Sequence, residues 1–143
     1  MNYADTSFLA SLYFTDAHSA IARAEAAKMK APLAFTSLHR LELRNALNLA
    51  VHRSQIDATQ RDALWQLVEN DLQDGFLVEV TPSTSAVYQR AEACSNFYTP
   101  LHGLRSLDIL HIAAASELHA KAFFTFDQKQ RRVALAQGLS VKP

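Results

Sequence analysis

Four acidic residues in this chain stand where solubility alone does not explain them. Asp5 closes the short run Asn2-Tyr3-Ala4 and is followed by Thr6 and Ser7, and Asp127 closes the apolar run Ala122-Phe123-Phe124-Thr125-Phe126. In open α/β sheets the crevice beyond the carboxyl ends of the strands is where ligands bind, so an acid at a strand end is a candidate for chemistry. Glu42 lies in register with Leu38, Ala46 and Leu49, and Asp108 with Ile112 and Ala115, so both fall on helix stripes expected to face a core. Each acid also has a plain structural reading. Asp5 and Asp127 suit helix N-caps, Asp108 in a first turn gains up to about 1 kcal/mol from the helix dipole, and Glu42 could reach water from the edge of its stripe.

Convergence of the four would change their meaning. Carboxylates within several ångströms of one another repel by ~1 kcal/mol or more per pair at an effective dielectric of about 20. They would then require a compensating divalent cation. An all-oxygen ligand set, with Cys94 the only cysteine and no histidines paired at metal-binding spacing, favours Mg²⁺ or Mn²⁺ over Zn²⁺. Thr6 and Thr125 place hydroxyls next to Asp5 and Asp127.

The elements that must position these acids alternate in type. After a first strand and a short helix, Asp16 can cap an alanine-rich helix over residues 17–30, which Pro32 ends. Residues 33–36 read as a strand, and Ser37 as the cap of a helix to about residue 53 with Leu38, Leu41, Ala46 and Leu49 on one face. Asp57 and Gln60 have capping-box spacing before a helix through Leu64, Leu67, Val68 and Leu72 that Gly75 stops. Residues 76–80 form the next strand. Pro82 and Ser83 open a helix through Val87, Ala91 and Cys94 that fades into a loop over residues 98–103. Ser106 can cap a helix over residues 107–120, residues 122–126 read as a buried strand, 128–137 as a helix closed by Gly138, and 139–141 as a last strand. Strands alternating with long helices indicate an α/β fold, a three-layer sandwich with a central, mostly parallel sheet flanked by helices. No linker, repeat or low-complexity segment divides the chain, so residues 1–143 are expected to form a single domain.

Composition narrows the class. At 143 residues, 49% hydrophobic and 20% charged, the chain can bury a core without a disulfide or structural metal. A lone cysteine, the absence of a signal-peptide pattern and the absence of a long apolar run point to a cytoplasmic protein with no membrane segment. Fourteen basic residues balance fourteen acidic ones, so net charge does not announce a nucleic-acid binder. The basic residues Arg44, Arg53, Lys129, Arg131 and Arg132 flank the motif helices, where they could track a phosphate backbone or simply be solvated. Cys94, His111, Trp65 and Tyr88 read as core residues.

The four acids in their contexts, Tyr-Ala-Asp5-Thr-Ser, Leu-His-Arg-Leu-Glu42-Leu-Arg-Asn-Ala, Leu-Arg-Ser-Leu-Asp108-Ile-Leu-His-Ile-Ala and Phe-Thr-Phe-Asp127-Gln-Lys-Gln, resemble the PIN domain in order and spacing along essentially the whole chain. In size the chain is similar to the VapC-type toxins of bacterial toxin–antitoxin pairs. The resemblance implies a Mg²⁺-dependent endoribonuclease, with Mn²⁺ as an alternative ion, held as a homodimer and inhibited by a small antitoxin. It assigns Asp5, Glu42, Asp108 and Asp127 to catalysis and metal binding, with products ending in 5′-phosphate and 3′-hydroxyl. Thr6 and Thr125 would orient carboxylates or waters, and Arg105 would hold a substrate phosphate or pair with an acid. PIN domains also serve in RNA processing outside toxin–antitoxin pairs, and a non-catalytic PIN-like binding scaffold is a further alternative. An aspartyl-nucleophile phosphatase would need a second acid where Ser7 stands.

Overall fold

The computed structural model describes residues 1–143. In chain order its elements are β1 (Tyr3–Ala4), α1 (Thr6–Tyr13), α2 (Ser19–Ala26), β2 (Leu33–Phe35), α3 (Ser37–His52), α4 (Ala58–Gln73), β3 (Leu77–Glu79), α5 (Thr84–His102), α6 (Ser106–Glu117), β4 (Phe123–Phe124), α7 (Gln128–Ala136) and β5 (Val141–Lys142). This is the α/β class expected, and every strand pairing is parallel. Packing divides the chain into two units, Met1–Asp5 with Thr81–Pro143, and Thr6–Val80. No helix is long and apolar enough to cross a membrane.

In the first unit β4 lies between β1 and β5. Its run of Ala122, Phe123 and Phe124 is buried throughout, as a strand covered on both faces must be. Tyr3 pairs with Phe123 and Ala4 with Phe124, and the Asp5 N–H continues the ladder to the Phe124 carbonyl at 2.9 Å. The strands are shorter than expected: β4 spans only Phe123–Phe124, although the Thr125 N–H still bonds to the Lys142 carbonyl at 2.9 Å. Helix α5 overturns the loop expected over residues 98–103. It runs on through Pro100 and stops only at Gly103, whose left-handed backbone (φ 63°) and N–H bond to Thr99 O close the helix. Pro100 costs only one hydrogen bond there, in the last turn, while the extended helix packs along α6. Helix α6 is buried on nearly all sides but ends at Glu117, short of the expected residue 120. Cys94 is buried, which pushes its thiol pKa up. Tyr88, expected in the core, is 58% exposed on α5.

In the second unit β2 pairs with β3, Leu33 opposite Leu77, and α1, α2, α3 and α4 pack around one another. Thr36, one residue earlier than expected, caps α3 in a reciprocal box with His39, whose Nδ1 accepts the Thr36 N–H at 3.0 Å. The His39 ring is fully buried and stacked on Phe35, so α3 is rotated to bury His39, Leu43, Leu47 and Ala50. The stripe expected through Leu38, Leu41, Ala46 and Leu49 is therefore one position off, and Leu41 is 69% exposed. Asp57 and Gln60 do form the capping box that starts α4.

Helix α2 spans less than the expected residues 17–30. Asp16 gathers the chain ahead of it, its carboxylate accepting from Ser11 Oγ at 2.8 Å, the His18 N–H at 2.8 Å and Ser19 Oγ at 3.0 Å. Partial burial would raise the Asp16 pKa, but these hydrogen bonds outweigh it and hold the carboxyl below its usual range. Its contribution to stability is thus complete above the unfolded value of about 3.9 and is lost as pH falls through the lower folded value. Urea unfolding measured from about pH 5 down to about pH 2 should show a steeper acid loss for wild type than for Asp16→Asn, and equal slopes would remove the role. Elsewhere in this unit the buried Tyr13 hydroxyl donates to Asp71 Oδ2 at 2.7 Å, and burial, reinforced by that carboxylate, drives the phenol pKa far up. Asp71→Ala, which strands the hydroxyl, should cost about 1–3 kcal/mol in denaturant unfolding and more than Tyr13→Phe, which leaves a half-buried carboxylate able to hydrate.

Candidate active site

The parallel pairing of β1 with β4 brings the carboxyl ends of both strands to the same edge, and with them Asp5 and Thr125. Asp5 is 1% exposed, and Thr125 Oγ1 donates to its Oδ2 at 2.8 Å. The same hydroxyl accepts the Asp127 N–H at 3.0 Å, tying the turn after β4 to the end of β1. Asp127 is the N-cap of α7, its Oδ1 accepting the N–H groups of Lys129 at 2.7 Å and Gln130 at 2.9 Å.

Asp108, 8% exposed, enters from the first turn of α6. Its Oδ2 accepts the Arg105 backbone N–H at 3.2 Å and Arg105 Nε at 3.1 Å, while Oδ1 lies 3.3 Å from Arg105 Nη2. Arg105 thus pairs with the acid one turn away, the second of the two roles expected for it. The planar guanidinium fork fixes the carboxylate plane while its own side chain stays 81% exposed.

Gln130 joins the two buried acids. Its Nε2 donates to Asp5 Oδ2 at 3.0 Å and to Asp108 Oδ1 at 3.2 Å, so carboxylates from the end of β1 and the start of α6 meet at one nitrogen. Sequence reasoning passed over this residue. The available signal was its register with Val133 and Ala134, the buried residues of α7, which puts an amide on the inward stripe of an otherwise charged helix. Close by, Tyr3 OH is hydrogen-bonded to buried His111 Nδ1 at 3.0 Å, making His111 a satisfied core histidine as expected.

Glu42 belongs to the second unit. It sits half-buried at the margin of the His39–Leu43–Leu47 stripe, and Thr6 Oγ1 donates to its Oε2 at 2.7 Å. The neighbouring cations are committed elsewhere: Arg40 to Glu69 and Glu79, and Arg44 to the face of Trp65, 3.6 Å from the ring centroid.

In the first unit no three acid, imidazole or thiol side chains lie close enough to hold a metal by themselves. The Asp5–Asp108 pair nevertheless fits a hard cation. Mg²⁺ commonly takes one or two carboxylates and keeps several waters, and here two carboxylate oxygens face a common point now filled by an N–H donor.

Comparison with known proteins agrees with this architecture. Mycobacterium tuberculosis VapC20, a sarcin–ricin-loop-cleaving toxin, superimposes with a TM-score of 0.71 at 16% identity, covering 100% of both chains. Rickettsia felis VapBC2, solved with a DNA fragment from its promoter, gives 0.64 at 16% identity over 99% of this chain and 98% of that one. FitAcB from Neisseria gonorrhoeae gives 0.63 at 13% identity over 100% and 97%. No curated protein matches the chain in sequence. The PIN domain family model matches residues 3–136, through all four acids, and the chain belongs to the PIN domain family.

Proposed function

We propose that this protein is a divalent-metal-dependent endoribonuclease, the toxin of a type II toxin–antitoxin pair, in which residues 1–143 act as a single PIN-like domain. The observation that carries the reading is the burial of Asp5 and Asp108 around one shared donor, an arrangement that stores like charge where a core would avoid it. Asp5 and Asp108 would hold Mg²⁺ or Mn²⁺, with Glu42 and Asp127 contributing directly or through water. When bound, the ion supplies Lewis-acid polarisation of the phosphodiester and an acidified water as nucleophile.

The remaining steps belong to the chain. Thr125 holds Asp5 in one orientation and Thr6 does the same for Glu42. Arg105, with its side chain mostly in solvent, fixes Asp108 and can swing a guanidinium to a substrate phosphate. A small antitoxin and a second copy of the chain are the proposed protein partners. Ile21 and Leu41 on α2 and α3, and Phe97 and Leu101 on α5, are exposed apolar residues that such contacts would cover. The solved VapBC2 structure, itself a complex, supports the antitoxin assignment.

Purified protein should cleave single-stranded RNA in Mg²⁺ or Mn²⁺ and stop in excess EDTA. Asp5→Asn, Glu42→Gln, Asp108→Asn and Asp127→Asn should each lower the rate by ~100-fold or more, since each removes a ligand charge at constant volume. Undiminished cleavage in EDTA, or full activity in any two variants, overturns the metal reading. Mg²⁺ at about a hundredfold excess over Kd should stabilise the fold by ~2.7 kcal/mol. That corresponds to a Tm rise of roughly 5–10 °C for a chain of this size. The rise should be much smaller in Asp5→Asn; equal responses would return Asp5 to a purely structural role.

A further inference from the structure

Gln130 has one end of its amide used twice and the other not at all. The side chain is buried, 4% exposed, with Nε2 shared by Asp5 and Asp108 while Oε1 is buried without a hydrogen-bond partner. A buried carbonyl oxygen left without a donor loses its hydration uncompensated, and such orphans in a folded protein call for an explanation. The residue cannot drift away, because its own N–H is held by the Asp127 carboxylate in the first turn of α7. Its freedom lies in the side-chain torsions, and its terminal torsion has a broad, roughly two-fold profile.

We propose that Gln130 is a metal-site residue with two settings. In the metal-free protein its NH₂ occupies the cation position between Asp5 and Asp108, and on loading the amide turns so that Oε1, a hard oxygen donor, faces that position. The proposal rests on the divalent-ion reading of the acid pair. Side-chain chemistry singles glutamine out: with Arg105 already paired to Asp108, a second fixed cation between the two acids would bar a metal ion, and glutamate would add a third like charge. Glutamine is a donor in one orientation and an acceptor in the other, at nearly constant shape. No bond to Oε1 has to be broken for the turn to occur; the two Nε2 bonds to Asp5 and Asp108 are broken, and the ion would take their place on the two carboxylates.

The full chain can be tested by Mn²⁺ titration calorimetry and by thermal melts in EDTA and in Mg²⁺, with Gln130→Met, which keeps length but neither donates nor accepts like an amide, and Gln130→Glu, which only accepts. Gln130→Met should melt below wild type in EDTA and bind Mn²⁺ ~10-fold more weakly. Gln130→Glu should also melt lower in EDTA, yet bind Mn²⁺ at least as tightly as wild type and recover its melting temperature in Mg²⁺. In ¹⁵N-labelled wild type the Gln130 side-chain NH₂ resonances should shift on adding Mg²⁺, a readout that needs no variant to fold. Wild-type affinity in Gln130→Met makes the amide a structural tie only, and tighter binding makes it an obstruction; either overturns the proposal. A static NH₂ signal in wild type that demonstrably binds the ion does so too. If wild type itself binds no Mn²⁺, the divalent-ion reading falls, and this inference with it.

Discussion

Two buried carboxylates that share one donor are the constraint around which the first unit is built. Desolvation and mutual repulsion both disfavour the Asp5–Asp108 pair, and a pair of this kind persists only where donors are delivered to it from fixed elements. Each delivery has a structural cause. Parallel pairing of β1 and β4 sets Thr125 beside Asp5, the cap at Asp127 starts α7 so that Gln130 falls between the acids, and the entry to α6 turns Arg105 back on Asp108. Removing the strand pairing would take the Thr125 hydroxyl from Asp5, and removing the cap would displace the Gln130 amide.

The acids of this chain are met by donors of different kinds, guanidinium for Asp108 and hydroxyl and amide for Asp5. In the second unit acids meet full cations or anchor the backbone: Arg40 bridges Glu69 and Glu79, Trp65 Nε1 donates to Glu69 at 2.7 Å, and Asp16 closes its turn. Asp5 instead receives a hydroxyl and an amide. Neutral donors satisfy lone pairs without cancelling charge, whereas the Arg105 guanidinium offsets charge on Asp108. Glu42, bonded by Thr6, follows the pattern of Asp5.

Much of this was legible in the residues. Asp5 and Asp127 announced themselves as polar stops on apolar runs, Asp108 as a break in an apolar period, and the α/β alternation followed from strand and helix lengths. The failures share one cause, that side chains other than the expected ones set local geometry. A histidine accepting the Thr36 N–H rotated α3 by one position and moved Glu42 from the centre of a stripe to its margin. Packing against α6 carried α5 through a proline that local chemistry reads as a stop. Gln130 escaped notice because an uncharged amide near a helix start is ordinary in sequence, and only the meeting of α7 with β1 and α6 makes it singular.

The first unit is assembled from the two ends of the chain, with β1 on one flank of β4 and residues 6–80 intervening. Strand β1 pairs with β4, so the Tyr3–Phe123 and Ala4–Phe124 pairs can form only after residue 124 has left the ribosome. The entropy of so long a closure rises only slowly with length, by about 0.6 kcal/mol per doubling, so the completed chain bears it easily. Its consequence is one of timing. The carboxylates come together only after residue 130 has been made, and a shorter nascent polypeptide, still attached to the RNA-rich machine that makes it, carries Asp5 without the glutamine that joins it to Asp108.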